Sequence, residues 1–217
     1  MTEWLALSAA LAAGWFSNRY AWWRKPVDLR HPRVLMYHMV SPHRPGAKFN
    51  GLRVPPERFE AQLDWLKRKG WTFFTVGELW AQWDELPEKS VAITFDDGYA
   101  DNLHNALPLL DKYDAKATIY IVVDRHDRDW STAKKAHHNT GELAREPKLS
   151  DDELQRLVAS GRIEIGSHTL THINLRTTPI DDKRRELAEA RRLLQAQSGQ
   201  AVTSFAYPFG IYGDEDV

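Results

Sequence analysis

The 217-residue sequence contains no cysteine. Disulfides, thiolate metal sites and a cysteine nucleophile are thereby excluded, and any metal must be held by histidine and carboxylate. Those are plentiful, with nine His and 30 Asp plus Glu. The chain also lacks a charge excess: 29 Lys plus Arg against 30 Asp plus Glu leave a net charge of −1. Nucleic acid and other polyanions select a basic surplus, so no nucleic-acid partner is expected. There is no internal repeat and no low-complexity tract. Hydrophobic residues at 42% and charged residues at 27% exclude a disordered chain. The length suits one domain with a real core and hardly two. A membrane-spanning run is missing as well. The uncharged apolar run 4–17 has fourteen residues, against about 20 needed to cross a bilayer.

The amino terminus nevertheless differs in composition from the rest. Four of the nine tryptophans, Trp4, Trp15, Trp22 and Trp23, fall in the first 23 residues. No Lys or Arg precedes the run and no Ala-x-Ala site ends it, which argues against a secretory signal. Arg19, Arg24, Lys25 and Arg30 all follow it, and the positive-inside bias would keep the remainder on the cytoplasmic side. Three readings stand open: a weak membrane anchor, an interfacial helix with an aromatic belt, and a helix packed on its own domain. The first two imply membrane association through residues 4–23 and a membrane or cell-envelope location. The chain divides into this segment, 1–30, and a domain over 31–217.

From residue 33 onward, short β-type runs alternate with helical patterns. Strands are expected at 34–37, 71–76, 91–95, 117–123, 162–166 and 202–207. Pro55-Pro56 opens a helix carrying Phe59, Leu63 and Leu66 on one face, and Gly70 stops it. Further helices are expected at 101–113, at 151–160 behind the N-cap Ser150, and at 181–197 with Leu187, Ala190 and Leu194 facing inward. Strand–helix alternation with nearly continuous apolar strands predicts an α/β fold, a parallel sheet covered by helices and of barrel-like or doubly wound form. The polar stretch 124–148 is too long for a plain connection and reads as a loop flanking the site.

Three segments carry chemistry, and each ends a predicted strand, where sites form in parallel α/β folds. In Ile93-Thr94-Phe95-Asp96-Asp97-Gly98, two adjacent carboxylates follow a buried strand. One pKa rises unless a cation neutralises the pair. The same residues also make an ordinary Asp–Gly turn. In Gly166-Ser167-His168-Thr169-Leu170-Thr171-His172, histidines four apart reach one side of a helical turn. With Asp97 they form a two-His, one-carboxylate set suited to a catalytic divalent metal. Phe205-Ala206-Tyr207-Pro208-Phe209-Gly210 is a strand running into a Pro–Gly turn, able to aim a backbone N–H at the site.

Together these segments resemble the polysaccharide deacetylases of carbohydrate esterase family four, the NodB-homology group. Thr94-Phe95-Asp96-Asp97-Gly98 matches the first motif of that family, and His168 to His172 matches His-(Ser/Thr)-x-x-His. Phe205 to Gly210 is similar to the third motif, with Ala206 where an Arg usually stands. The family's later Leu-x-His segment, source of its general acid, has no counterpart after Gly210. Val34-Leu35-Met36-Tyr37-His38-Met39-Val40 instead resembles the opening of the circularly permuted branch that deacetylates poly-β-1,6-N-acetylglucosamine, where the acid histidine comes from an early strand.

The resemblance implies a distorted (β/α) barrel of the NodB type, incomplete at the C-terminus. Six strands would leave an edge of such a barrel open, so the protein is expected either to continue past Val217 with one or two more strand–helix units, with Asp214-Glu215-Asp216 as the acidic start of a helix, or to pair that edge with a partner. The resemblance also implies metal-assisted removal of N-acetyl groups from an N-acetylated glycan. Asp97, His168 and His172 would hold one divalent metal, zinc by ligand type, with cobalt and nickel also compatible. Asp96 would act as general base and His38 as general acid. The Phe209 N–H would serve the oxyanion, with Tyr207 beside it as a substrate-binding residue. Two alternatives stay open: a deformylase or deacetylase of a lipid-linked sugar, and a non-catalytic carbohydrate-binding relative.

Overall fold

A computed structural model describes residues 2–126 and 141–216. Helix α1 (Thr2–Tyr20) precedes strand β1 (Arg33–Tyr37). There follow α2 (Pro56–Arg68), β2 (Thr72–Phe74), α3 (Val76–Ala81) and β3 (Ser90–Asp96). A π-helical turn (Asn102–Ala106) leads into α4 (Leu107–Lys112), then β4 (Ala117–Ile121), α5 (Asp151–Ala159), β5 (Ile163–Ser167) and α6 (Ile180–Ser198).

Five strands form one sheet in which every pairing is parallel. β3 is its centre. It pairs with β1 from Arg33↔Val91 to Tyr37↔Phe95, with β2 along its first residues, and with β4 from Ile93↔Ala117 onward. All seven residues of β3 are buried, as a strand covered on both sides requires. Alternation then sorts its side chains. Val91, Ile93 and Phe95 pack into a core with Phe59, Leu63 and Leu66 of α2, Leu154 and Leu157 of α5, and Leu194 of α6. Thr94 and Asp96 face the opposite way, into a cleft. Val34 and Met36 of β1 and Tyr120 of β4 line that cleft too. One face of the sheet is therefore roofed by helices. The other is the wall of a distorted barrel that stays open, since no strand joins β5 back to β1 among the described residues.

The expected sixth strand, 202–207, is reduced to a bridge. Ser167 N–H donates to Ser204 O at 2.9 Å and Ala206 N–H to Ser167 O at 3.0 Å, giving the parallel pair Ser167↔Phe205. The apolar pattern was sufficient for a strand, but its pairing partner ends at Ser167. The helix expected at 101–113 is split, because Asn102 and Asn105 turn their amides onto His38 O (2.9 Å) and Val40 O (2.7 Å) around the π turn. In α6 the inward stripe is Lys183, Glu186, Ala190 and Leu194, while Leu187 is exposed. Ser150 caps α5 as expected, in a reciprocal capping box with Glu153. Asp214–Asp216 forms a single 3-10 turn.

Helix α1 is not packed on the domain: from Leu7 to Tyr20 its side chains are exposed, with Ser17 half-buried. Its apolar residues are spread around the whole circumference instead of forming the one-sided stripe of an interfacial helix. No helix among the described residues is long and apolar enough to cross a membrane. Most of the polar stretch 124–148, including His137 and His138, lies outside the described residues.

Candidate active site

β3 delivers its two acids to the cleft through a sharp exit. Asp97 (φ 75°) and Gly98 (φ 75°) are both left-handed, so the chain turns away immediately after Asp96. Gly98 suits this twice over: glycine tolerates the angle, and a Cβ there would lie 3.0 Å from Ile121 Cδ1. β5 delivers the histidines. Contrary to the expected helical turn, 168–172 is an irregular loop with Thr169 (φ 68°) and His172 (φ 58°) left-handed. This curl sets the two rings 4.9 Å apart, centroid to centroid.

The result is a buried trio. His168 Nε2 lies 3.5 Å and His172 Nε2 3.4 Å from Asp97 Oδ1, and the three side chains are all but inaccessible. His168 Nδ1 donates to Ala206 O at 2.8 Å, which leaves its Nε2 as the lone-pair nitrogen aimed at Asp97. Burial lowers the pKa of His168, and it drives that of His172 down to about 3, so both rings are neutral at neutral pH. Burial pushes Asp97 up, but the field of His172, His38 and His168 in their charged forms, together with Lys148, draws it below its usual range, so the carboxylate is ionised where the two rings are neutral. Asp97 Oδ1 is buried without a hydrogen-bond partner. A buried orphan acceptor ringed by two neutral imidazole nitrogens is a poor hydrogen-bonding arrangement and a good cation site. The candidate ligand atoms lie within 4.8 Å of one another, so one ion fits among them.

Asp96 stands outside the trio, with its carboxylate on the cleft. Burial, and then the charge of Asp97, push its pKa up to about 7. His38 follows β1 directly, half-buried on the same cleft, its carbonyl held by Asn102. Phe209 is left-handed (φ 60°) within the turn Pro208–Gly210, and its ring stands edge-on to His172 at 4.6 Å between centroids. Tyr207 lines the cleft, stacks near Tyr212 and donates its hydroxyl to Asp216 O. All seven residues expected at the site thus border one cleft of about 1020 Å³.

Several contributors escaped the sequence reading. Tyr120 forms part of the cleft wall, and it fits only because position 166 is glycine, where a Cβ would lie 2.5 Å from its ring. Lys148 is buried over the Tyr99 ring, 4.4 Å from its centroid, and donates to Leu143 O and Glu146 O. Glu186 of α6 grips the histidine loop through Thr171. The spacing of Gly166 and Tyr120 along separate strands carries no local signal, and a lysine or glutamate in a polar stretch or charged helix reads as solvated.

A family model described as polysaccharide deacetylase matches residues 83–216. The YxkH protein of Bacillus subtilis, whose name places it among the polysaccharide deacetylases, is 34% identical over 90% of this chain and 62% of its own length. A poly-beta-1,6-N-acetyl-D-glucosamine N-deacetylase of Staphylococcus aureus is 27% identical over 75% of this chain and 55% of its own. The chain therefore spans less than two thirds of either relative. The solved structure of the Streptococcus pyogenes deacetylase PplD, in complex with acetate, superposes with a TM-score of 0.70 at 28% identity, covering 88% of this chain and 77% of that one.

Proposed function

The chain belongs to the polysaccharide deacetylase family, and from that premise we propose that it is a metal-dependent hydrolase that removes N-acetyl groups from an N-acetylated amino-sugar polymer. The observation that carries this reading is the orphaned Asp97 Oδ1 faced by His168 and His172 in a cleft that also receives Asp96 and His38. Asp97, His168 and His172 would hold the divalent metal, zinc by ligand type. Bound there, it supplies Lewis acidity toward the amide carbonyl and a water of lowered pKa.

The remaining work falls to the chain. Asp96 takes a proton from the attacking water as general base. The Phe209 N–H donates to the oxyanion that forms at the carbonyl carbon. His38 gives a proton to the amide nitrogen as the C–N bond breaks, so acetate and a free amino sugar leave. Tyr207 builds the wall against which the sugar rests. The name of the S. aureus relative and the acetate in the S. pyogenes structure support this substrate class. The exposed apolar side chains of α1, among them Trp4, Leu7, Leu11 and Trp15, favour a second reading in which the acylated sugar is carried on a lipid.

The test is acetate release by zinc-loaded protein from N-acetylglucosamine oligomers, set beside a lipid-linked N-acetylated sugar. Release from the oligomers supports the first reading and release from the lipid-linked sugar alone supports the second. A folded, metal-loaded protein that releases acetate from neither would be a non-catalytic relative.

A further inference from the structure

The histidine loop does not hold its own shape. Two of its five residues, Thr169 and His172, sit in the left-handed region, which non-glycine side chains rarely adopt unless the surroundings over-determine it. Part of the restraint is internal, since His172 N–H donates to Thr169 Oγ1 at 2.8 Å. The rest comes from outside the loop: Asp124 N–H donates to Leu170 O at 2.8 Å and Val123 N–H to Thr169 O at 3.3 Å, and α6 holds the next residue, Thr171. Glu186 Oε2 accepts the Thr171 N–H at 2.9 Å, and Glu186 Oε1 accepts the Thr171 hydroxyl at 2.7 Å. Both carboxylate oxygens thus close on the residue that directly precedes His172.

Glu186 is only 4% exposed. The next inward positions of the helix, Ala190 and Leu194, are apolar and fully buried, so packing alone would be served by an apolar residue here. A buried carboxylate is costly unless its oxygens are satisfied. The cation on the same face, Lys183, is directed elsewhere, to Asp216 at 2.6 Å and Glu215 at 3.9 Å. The carboxylate suits the task by its chemistry. Facing two donors on one residue, it accepts at both oxygens, whereas an amide keeps one acceptor for the Thr171 N–H and turns its NH2 toward the Thr171 hydroxyl, which must then reverse to accept and loses its bond to a charged oxygen.

We infer that Glu186 is a positioning residue that, through Thr171, sets the placement of His172 against Asp97 and His168. This rests on the reading that those three side chains hold a divalent metal. Groups that orient metal ligands commonly govern affinity as well as geometry, and their loss weakens binding by about 10- to 100-fold.

The experiment compares the full chain with Glu186→Gln, Thr171→Val, Thr171→Ser and Leu194→Ala. Zinc affinity is read by competition with a chromophoric chelator, ligand geometry by the visible absorption of the cobalt-substituted protein, and stability by melting of the metal-free form. Glu186→Gln and Thr171→Val should bind zinc about 10- to 100-fold more weakly and shift the cobalt bands. Thr171→Ser, which keeps the hydroxyl, should restore both. Leu194→Ala, which only empties a core position of the same helix, should melt earlier with unchanged zinc affinity. A folded Glu186→Gln with wild-type affinity and cobalt spectrum overturns the inference. If Glu186→Gln does not fold, the same wild-type result in Thr171→Val overturns it. A folded wild-type chain that binds neither zinc nor cobalt would overturn the metal reading, and this inference with it.

Discussion

Replacing Gly166 by alanine tests the geometry on which the site is built. Gly166 stands opposite Tyr120 in the β4–β5 register. A Cβ at 166 would lie 2.5 Å from both Cδ1 and Cε1 of that ring and 2.9 Å from Ser204 Oγ. Carbon atoms rest about 3.5–4.0 Å apart, so the ring must move by about 1 Å or more. It has little room, because Tyr120 is 6% exposed and its strand is buried throughout. Overpacking of this kind costs about 1–3 kcal/mol. For a chain of this size each kcal/mol lowers the melting temperature by about 2–4 °C, so Gly166→Ala should melt about 2–12 °C below wild type. Urea unfolding of the metal-free protein measures the free energy directly. The cause is isolated by a cycle with Tyr120→Ala, which destabilises in its own right by emptying the position. In that background Gly166→Ala should cost far less, leaving an interaction of about 1 kcal/mol or more. Equal costs in the two backgrounds, or a loss below about 0.5 kcal/mol in the wild-type background, would refute the packing argument.

Asp97→Ala and His172→Ala should each lose metal by elemental analysis, and full occupancy in a His168→Ala/His172→Ala double variant would contradict the ligand set. Asp96→Asn should keep its metal while deacetylation falls by about 10²- to 10⁴-fold, the range for loss of a general base. Metal loss in that variant would mean that the two acids have exchanged roles. His38→Ala should lower turnover with metal content unchanged, and wild-type turnover would remove His38 as the acid.

Much of the fold was legible because its two central strands, β3 and β4, are buried throughout. The apolar runs at 91–95 and 117–123 mark β3 and β4, and Pro56, Phe59, Leu63 and Leu66 mark α2 from start to inner face. The misreadings share one physical origin, a partner remote in sequence. Residues 202–207 have the pattern of a strand but pair only with Ser167. An apolar residue is the default for burial, so the pattern of α6 points inward through Leu187. The position one residue earlier is buried instead, since Glu186 finds its donors fifteen residues away on Thr171. No periodicity reports a hydrogen bond across such a distance.

The same distinction separates the site's inventory from its geometry. The residue types and spacing of Asp96, Asp97, His168 and His172 were enough to suggest a metal and a base, but they suggested a helical turn for the histidines, which the chain does not make. Among the described residues, seven non-glycine positions are left-handed, and four of them are Asp97, Thr169, His172 and Phe209. Such residues cost about 1–3 kcal/mol each, least for Asp97 in its Asp–Gly turn, and for Thr169 and His172 no residue type in the loop calls for the conformation. The cost is offset by the internal bond from His172 N–H to Thr169 Oγ1 and by contacts from outside the motif: Glu186 on Thr171, the Ala206 carbonyl on His168, and the Phe209 ring against His172. Local rules therefore fail where the candidate ligands are posed, as expected where strain is held for function. A chain carrying the same five-residue histidine motif without an acceptor at the position of Glu186 would keep the donor atoms and lose one of the contacts that set their arrangement.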